Sequence, residues 1–136
     1  VRIPRNRKNM QSINMPGDNG ELEKGKPHVV VEIIDYVQNA VVSKTIIRKI
    51  TGNVTALSFD QGEELGEKIT PFDTFVQIID GKAEITIEND KHELHLGTGI
   101  AIPAHKVHYI NAFEKFKMIS TVIKSGYEDI KPSYSL

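Results

Sequence analysis

Two glycine-anchored segments on either side of one sharply alternating hairpin constrain this chain more than any other feature. The first segment runs Gly62, five residues, Lys68, one residue, Thr70, three residues, Thr74, six residues, Gly81. The second runs Gly97, five residues, Pro103, then His105, His108 and Asn111. Between them Ala83-Glu84-Ile85-Thr86-Ile87-Glu88 alternates apolar and polar side chains, Asn89-Asp90 reads as a tight turn, and Lys91 to Leu96 returns. A period of two places alternate residues on opposite faces of a strand and fixes the register of the hairpin.

The rest of the chain reads the same way. Val41 to Ile50 is rich in β-branched residues, Gly52-Asn53 marks a turn, and Val54 to Phe59 completes a second hairpin. Pro103 closes a strand, His108 to Phe113 begins another, and Phe116 to Ile123 is the last long one. His28 to Val37 is ambiguous in period and reads as a short strand passing into a helical turn. Many short strands separated by turn residues, with no long helix, define an all-β antiparallel sandwich or small barrel. In Thr74 to Ile79, Val76 and Ile78 lie on one face and Phe75 and Ile79 on the other, so both faces need cover. A second copy of the chain is the simplest cover, which makes a homodimer the expected assembly.

At 136 residues the chain holds one domain with a sizeable core. Its organisation reads as a flexible or swapped N-terminal arm over 1–27, a barrel domain over 28–125 and a C-terminal tail over 126–136. In the swapped form, the arm adds an edge strand to a neighbouring subunit. Seventeen basic residues nearly cancel eighteen acidic ones, which gives nucleic acid or an anionic membrane no overall attraction. The absence of cysteine removes disulfides and thiolate metal sites and suits a reducing, cytoplasmic location. No apolar run approaches the ~18 residues of a membrane span. Phosphate loops, nucleophile elbows and zinc-finger spacings are missing as well.

The two segments resemble the paired motifs of the cupin family, G-x5-H-x-H-x3-E-x6-G and G-x5-P-x-G-x2-H-x3-N. The glycines, the proline, His108 and Asn111 are read as standing in register over roughly residues 54 to 113. That resemblance implies a jelly roll, also described as a double-stranded β-helix, of the small single-domain conserved-barrel type. It also implies a divalent metal held by two histidines and a glutamate of the first motif together with the second-motif histidine. Here those first-motif positions hold Lys68, Thr70 and Thr74, and the glycine before the last histidine is His105.

Lys68 places an ammonium where an imidazole would bind a cation, and its charge repels one. Desolvated in the cavity beside His108, it can hold an anion or serve as an acid or base; with its stem packed on apolar residues, it reaches solvent at the rim. Thr70 and Thr74 can hydrogen-bond a ligand but are poor transition-metal ligands. His108 takes the motif position that the resemblance points into the barrel. His105 lies in a loop that can turn toward the same mouth. His92 and His95 sit three apart on a strand and face opposite ways. His28 has nothing to mark it. Asp73 is turned outward by alternation unless Pro71 re-aims it toward a metal site shared with His105 and His108.

The expected function is therefore binding of a small molecule within a homodimeric barrel, with no metal or other cofactor, through Lys68, Thr70, Thr74, His105 and His108. Two alternatives stand beside it. One is a metal-free acid–base enzyme, an epimerase or isomerase of a carbohydrate or keto acid, with His108 as base and Lys68 as acid or anion clamp. The other is a metal-dependent enzyme with non-standard ligands.

Overall fold

The computed structural model describes Arg2–Ile3 and residues 20–127. Its β-branched run forms β2 (Val41–Lys49), which pairs antiparallel with β3 (Gly52–Phe59). The reversal between them falls at Ile50 and Thr51, so Gly52-Asn53 belongs to the strand and not to the turn. Gly52 is small for another reason: a Cβ there would stand 2.5 Å from the Val122 carbonyl oxygen of the neighbouring strand.

Chain order continues with β4 (Glu64–Lys68), β5 (Asp73–Ile87), β6 (Asp90–His95), β7 (Gly99–Ile102), β8 (His108–Asn111) and β9 (Phe116–Ile123). The two segments read separately from sequence, Thr74 to Ile79 and Ala83 to Glu88, are halves of the single strand β5. Its first half pairs with β9 and β7, and its second half with β6 and β8. The register against β9 shifts between Ile78 and Asp80, and Gly81 follows at φ +72°. At that bend one strand leaves the first sheet and enters the second. The β5–β6 turn is Glu88-Asn89, with Glu88 at φ +55°, because Ile87 pairs with Asp90; the sequence reading placed this turn one residue late.

One sheet thus contains the edge strand β1 (Arg2–Ile3), then β2, β3, β9, the first half of β5 and β7. The other contains β6, the second half of β5, β8 and β4. Every pairing is antiparallel, and the two sheets close on each other as the expected jelly roll. Between them lies the main core, including Leu57, Val76, Ile78, Ile85, Ile102 and Met118. Phe59 and Phe116 stack at its centre with ring centroids 4.4 Å apart.

A second apolar cluster lies on the outer face of the first sheet: Val42, Ala56 and Ile119, joined by Ile34 and Ala40 and flanked by Ile79. Its cover is the segment after the arm, which makes the expected helical turn, of 3₁₀ type, at Val30–Glu32 but not the short strand expected before it. That segment is tied down by Lys117 Nζ donating to the Val31 carbonyl (2.6 Å) and Tyr36 Oη donating to Asp80 (2.7 Å). Ser58 Oγ also donates to the Asp35 carbonyl (2.8 Å). The chain itself therefore meets the need for cover at Ile79. Phe75 and Ile123, farther along the same face, remain exposed.

Arg2–Ile3 pair with Val42 and Val41 of the same chain. Glu21 and Leu22 run beside β2, where Glu21 accepts from the Arg48 amide and Leu22 donates to the Ile46 carbonyl. The remainder of the expected arm and the tail beyond Tyr127 lie outside the described residues. No helix among the described residues is long and apolar enough to cross a membrane.

Candidate functional site in the barrel

A cavity of about 120 Å³ opens between the sheets. Its apolar wall includes Leu57, Leu65, Val76, Ile102 and Met118, and its polar groups come from Lys68, Thr70, Thr74, His108, Tyr109 and Ser120. Four of the five residues singled out from sequence therefore share one cavity. Among the described residues, no aspartate or glutamate lines it.

Lys68 reaches this cavity through a bulge. Leu65 pairs with Ile110 and Lys68 with His108, so β4 spends three residues where β8 spends two. Simple alternation from the inward Leu65 would turn Glu67 inward and Lys68 outward; the extra residue beside Gly66 reverses that. The ammonium-bearing residue and the imidazole consequently stand directly opposite each other on paired strands.

His108 is buried, with 9% of its surface exposed. Its Nδ1 lies 3.3 Å from the Lys106 carbonyl oxygen. A carbonyl can only accept, so this contact places the proton on Nδ1 and leaves Nε2 as the basic nitrogen. Burial pushes the imidazole pKa below its ordinary value, the Lys106 hydrogen bond opposes that, and the Lys68 charge adds to the lowering. Burial alone lowers the Lys68 pKa. The Lys68 ammonium makes no hydrogen bond or ion pair with any other described residue.

The His108 shift has a definite sign in stability. Near its ordinary value of 6.5 the unfolded chain takes up a proton that the folded chain refuses until lower pH. Stability therefore falls as pH drops from about 6.5 through the lowered folded value, and His108 has no such effect above that window. Urea unfolding at pH 7.5 and pH 5 should show a smaller acid loss in His108→Gln than in the wild type. Equal losses in the two proteins would remove His108 as a contributor.

Thr74 is part-buried in the cavity wall, and its hydroxyl has no partner among the described residues. Thr70 is differently placed, since its hydroxyl donates to the Phe72 carbonyl (2.9 Å) and accepts from the Phe72 amide (3.0 Å). It closes the corner around Pro71 and has little hydrogen-bonding capacity left for a ligand.

His105 is exposed and is not among the lining residues. Its backbone sits at φ +67°, the left-handed region that the family glycine of this position adopts at no steric cost. Its amide donates to the Thr70 carbonyl (2.7 Å), and the neighbouring Ala104 amide donates to Asp73 (2.8 Å). Asp73 is thus an exposed loop staple, and Pro71 does not re-aim it into the barrel. Asn111 stands one residue short of the motif spacing, which Ala112 occupies.

Two polar lining residues, Tyr109 and Ser120, were missed in the sequence reading. Ser120 had a usable signal, because a lysine at 117 turned outward sets Met118, Ser120 and Val122 inward by alternation. Tyr109 had none, since it lies between two inward residues, His108 and Ile110.

The residues present do not fit the family's divalent metal. Its implied ligand positions contribute one imidazole, two hydroxyls and a cation. No group of three or more His, Cys, Asp or Glu side chains able to hold an ion occurs among the described residues. The cavity offers a positive charge, a basic nitrogen and the hydroxyls of Thr74, Tyr109 and Ser120 beside an apolar wall.

This chain belongs to the cupin superfamily. Its fold is similar to that of a conserved protein of unknown function from Streptococcus pyogenes, at 30% identity over 85% of this chain and 96% of that one, TM-score 0.74. It is also similar to a cupin superfamily protein from Desulfitobacterium hafniense, at 28% identity over 77% of this chain and 96% of that one, TM-score 0.73. A cupin 2 conserved barrel domain protein from Leptotrichia buccalis matches at 27% identity over 69% of this chain and 46% of that one, TM-score 0.67. No protein-family model and no curated protein matches the sequence.

Proposed function

We propose that this protein is a homodimeric cupin that binds a small molecule in its barrel without a metal. The observation that carries the reading is the placement of Lys68 opposite His108 at one apolar chamber. Apolar walls with a few convergent polar groups are the usual anatomy of a ligand site. At about 120 Å³ the chamber is smaller than the ~300–1,000 Å³ typical of drug-sized ligands, so the deep part of the occupant is small. The exposed Phe75 and Ile123 on the outer face of the first sheet support pairing of two chains there.

Met118 supplies a reporter inside the chamber, and only three methionines need assignment. A panel of small sugars, keto acids and aliphatic acids titrated against methyl-labelled protein in chelator should contain compounds that saturably shift the Met118 methyl signal. Hits confined to surface signals, or binding that appears only after a transition metal is added, would contradict the reading.

A further inference from the structure

Resting on the reading of the chamber as a binding site, we infer that its occupant is a short-chain carboxylate whose anionic end is held by Lys68 and whose hydrocarbon end fills the apolar wall. Three observations converge on that class. First, among the described residues the chamber is lined by one lysine and no carboxylate: Lys68 and His108 line it, and no aspartate or glutamate does. Second, Lys68 is partly withdrawn from water, yet its ammonium makes no ion pair or hydrogen bond with any described residue. An ammonium taken from water without a partner is costly, and a carboxylate in contact with it returns that cost through a charge-assisted hydrogen bond. The only cause lowering its pKa is burial, with no neighbouring carboxylate opposing it. Third, β4 carries a bulge at the one place where it exchanges an inward Glu67 for an inward Lys68. Without that extra residue the chamber would receive a negative side chain.

The size and the remaining groups narrow the class. A dry cavity of ~150 Å³ lined by aliphatic residues holds benzene, so a chamber of about 120 Å³ takes roughly six non-hydrogen atoms. The unused Thr74 hydroxyl can donate to an anionic oxygen. Burial and the Lys68 charge both disfavour protonation of His108, which leaves Lys68 as the main cationic group facing a ligand and matches a monoanion better than a phosphate dianion. Leu57, Leu65, Val76, Ile102 and Met118 form an apolar wall that covers a hydrocarbon tail.

The test uses butyrate and its neutral isostere butyramide against the full chain, read by the Met118 methyl signal in chelator at neutral pH. Butyrate should bind wild-type protein at least tenfold more tightly than butyramide, and Lys68→Met should abolish that preference. Lys68→Gln provides a second variant that keeps a polar end, and it too should lose the preference. A thermal midpoint at or above the wild-type value identifies a folded variant, since the substitution removes an unpartnered charge. Equal affinity of the two compounds for wild-type protein, or a preference that survives both substitutions, overturns the assignment of a carboxylate. Binding of butyramide alone overturns it too but leaves the chamber a binding site. If no compound of the wider panel shifts Met118, the binding-site reading falls with it.

Discussion

Replacing Gly81 by alanine should cost this protein about 3–5 kcal/mol, lowering its thermal midpoint by roughly 10 °C or more. Two effects add. Gly81 has φ +72°, and an L-residue in the left-handed region costs about 1–2 kcal/mol. A Cβ built there also meets the Lys115 carbonyl oxygen at 2.2 Å and the Phe116 Cα at 2.9 Å. Both are backbone atoms at the entry to β9, so no side-chain rotation relieves the clash. β9 must move, and it carries Phe116, which stacks on Phe59 in the core. Gly62 is the control: its φ is +86°, but nothing lies within 4 Å of its added Cβ. Gly62→Ala should therefore cost only the conformational term, about 1–2 kcal/mol. Urea denaturation of the two variants separates crowding from backbone preference. Similar losses in both would show that close packing at the β5 bend contributes nothing.

The second large effect is a gain. Lys68→His combined with Thr74→Glu should create a metal site with the existing His108, because all three positions border one chamber and 68 lies opposite 108. Two imidazoles and one carboxylate suffice for zinc with an open fourth position. Thr70 is left alone so that its double hydrogen bond to Phe72 keeps the corner intact. A metal that binds only the folded state stabilises it by about 2.7 kcal/mol at a hundred times Kd, an upward shift of roughly 5–10 °C. Thermal melts with zinc or manganese should show that rise in the double variant and none in the parent. A variant that ignores both metals would mean that the family ligand positions do not converge here as the fold implies.

Sequence made the strands legible wherever a period of two was enforced by a buried face. The hairpin of β5 and β6 and the last strand, Phe116 to Ile123, were found on that basis. Turns were placed less well, since Gly52 and Asp90 carry turn-forming residue types for which the fold has other uses. Gly52 makes room for Val122, and Asp90 pairs with Ile87. The continuity of β5 through Gly81 was invisible, because a glycine within a strand pattern signals a break as readily as a bend. In the segment after the arm the expected helical turn is present at Val30–Glu32, but the short strand expected before it is not, since no period distinguished the two. The segment's structure is dictated by the outer sheet face and by Lys117, far away in sequence.

In the site, motif spacing brought Lys68, Thr70, Thr74 and His108 to one chamber. It did not separate Thr74, whose hydroxyl is unused, from Thr70, whose hydroxyl is consumed by its own corner. His105 was a candidate because its loop can turn either way, and backbone pairing with Thr70 holds it outside the chamber wall. The bulge that turns Lys68 inward cannot be read from the strand pattern, as Leu65-Gly66-Glu67-Lys68 permits either phase.

The central claim is that the Lys68 ammonium supplies the chamber's positive centre, at a position where the family motif has a metal-binding histidine. Elemental analysis of protein purified without chelators tests it most directly. The expected content is far below one transition-metal ion per chain, unchanged after incubation with iron, manganese or zinc and desalting. A stoichiometric ion that survives desalting and is lost on His108→Ala would contradict the account.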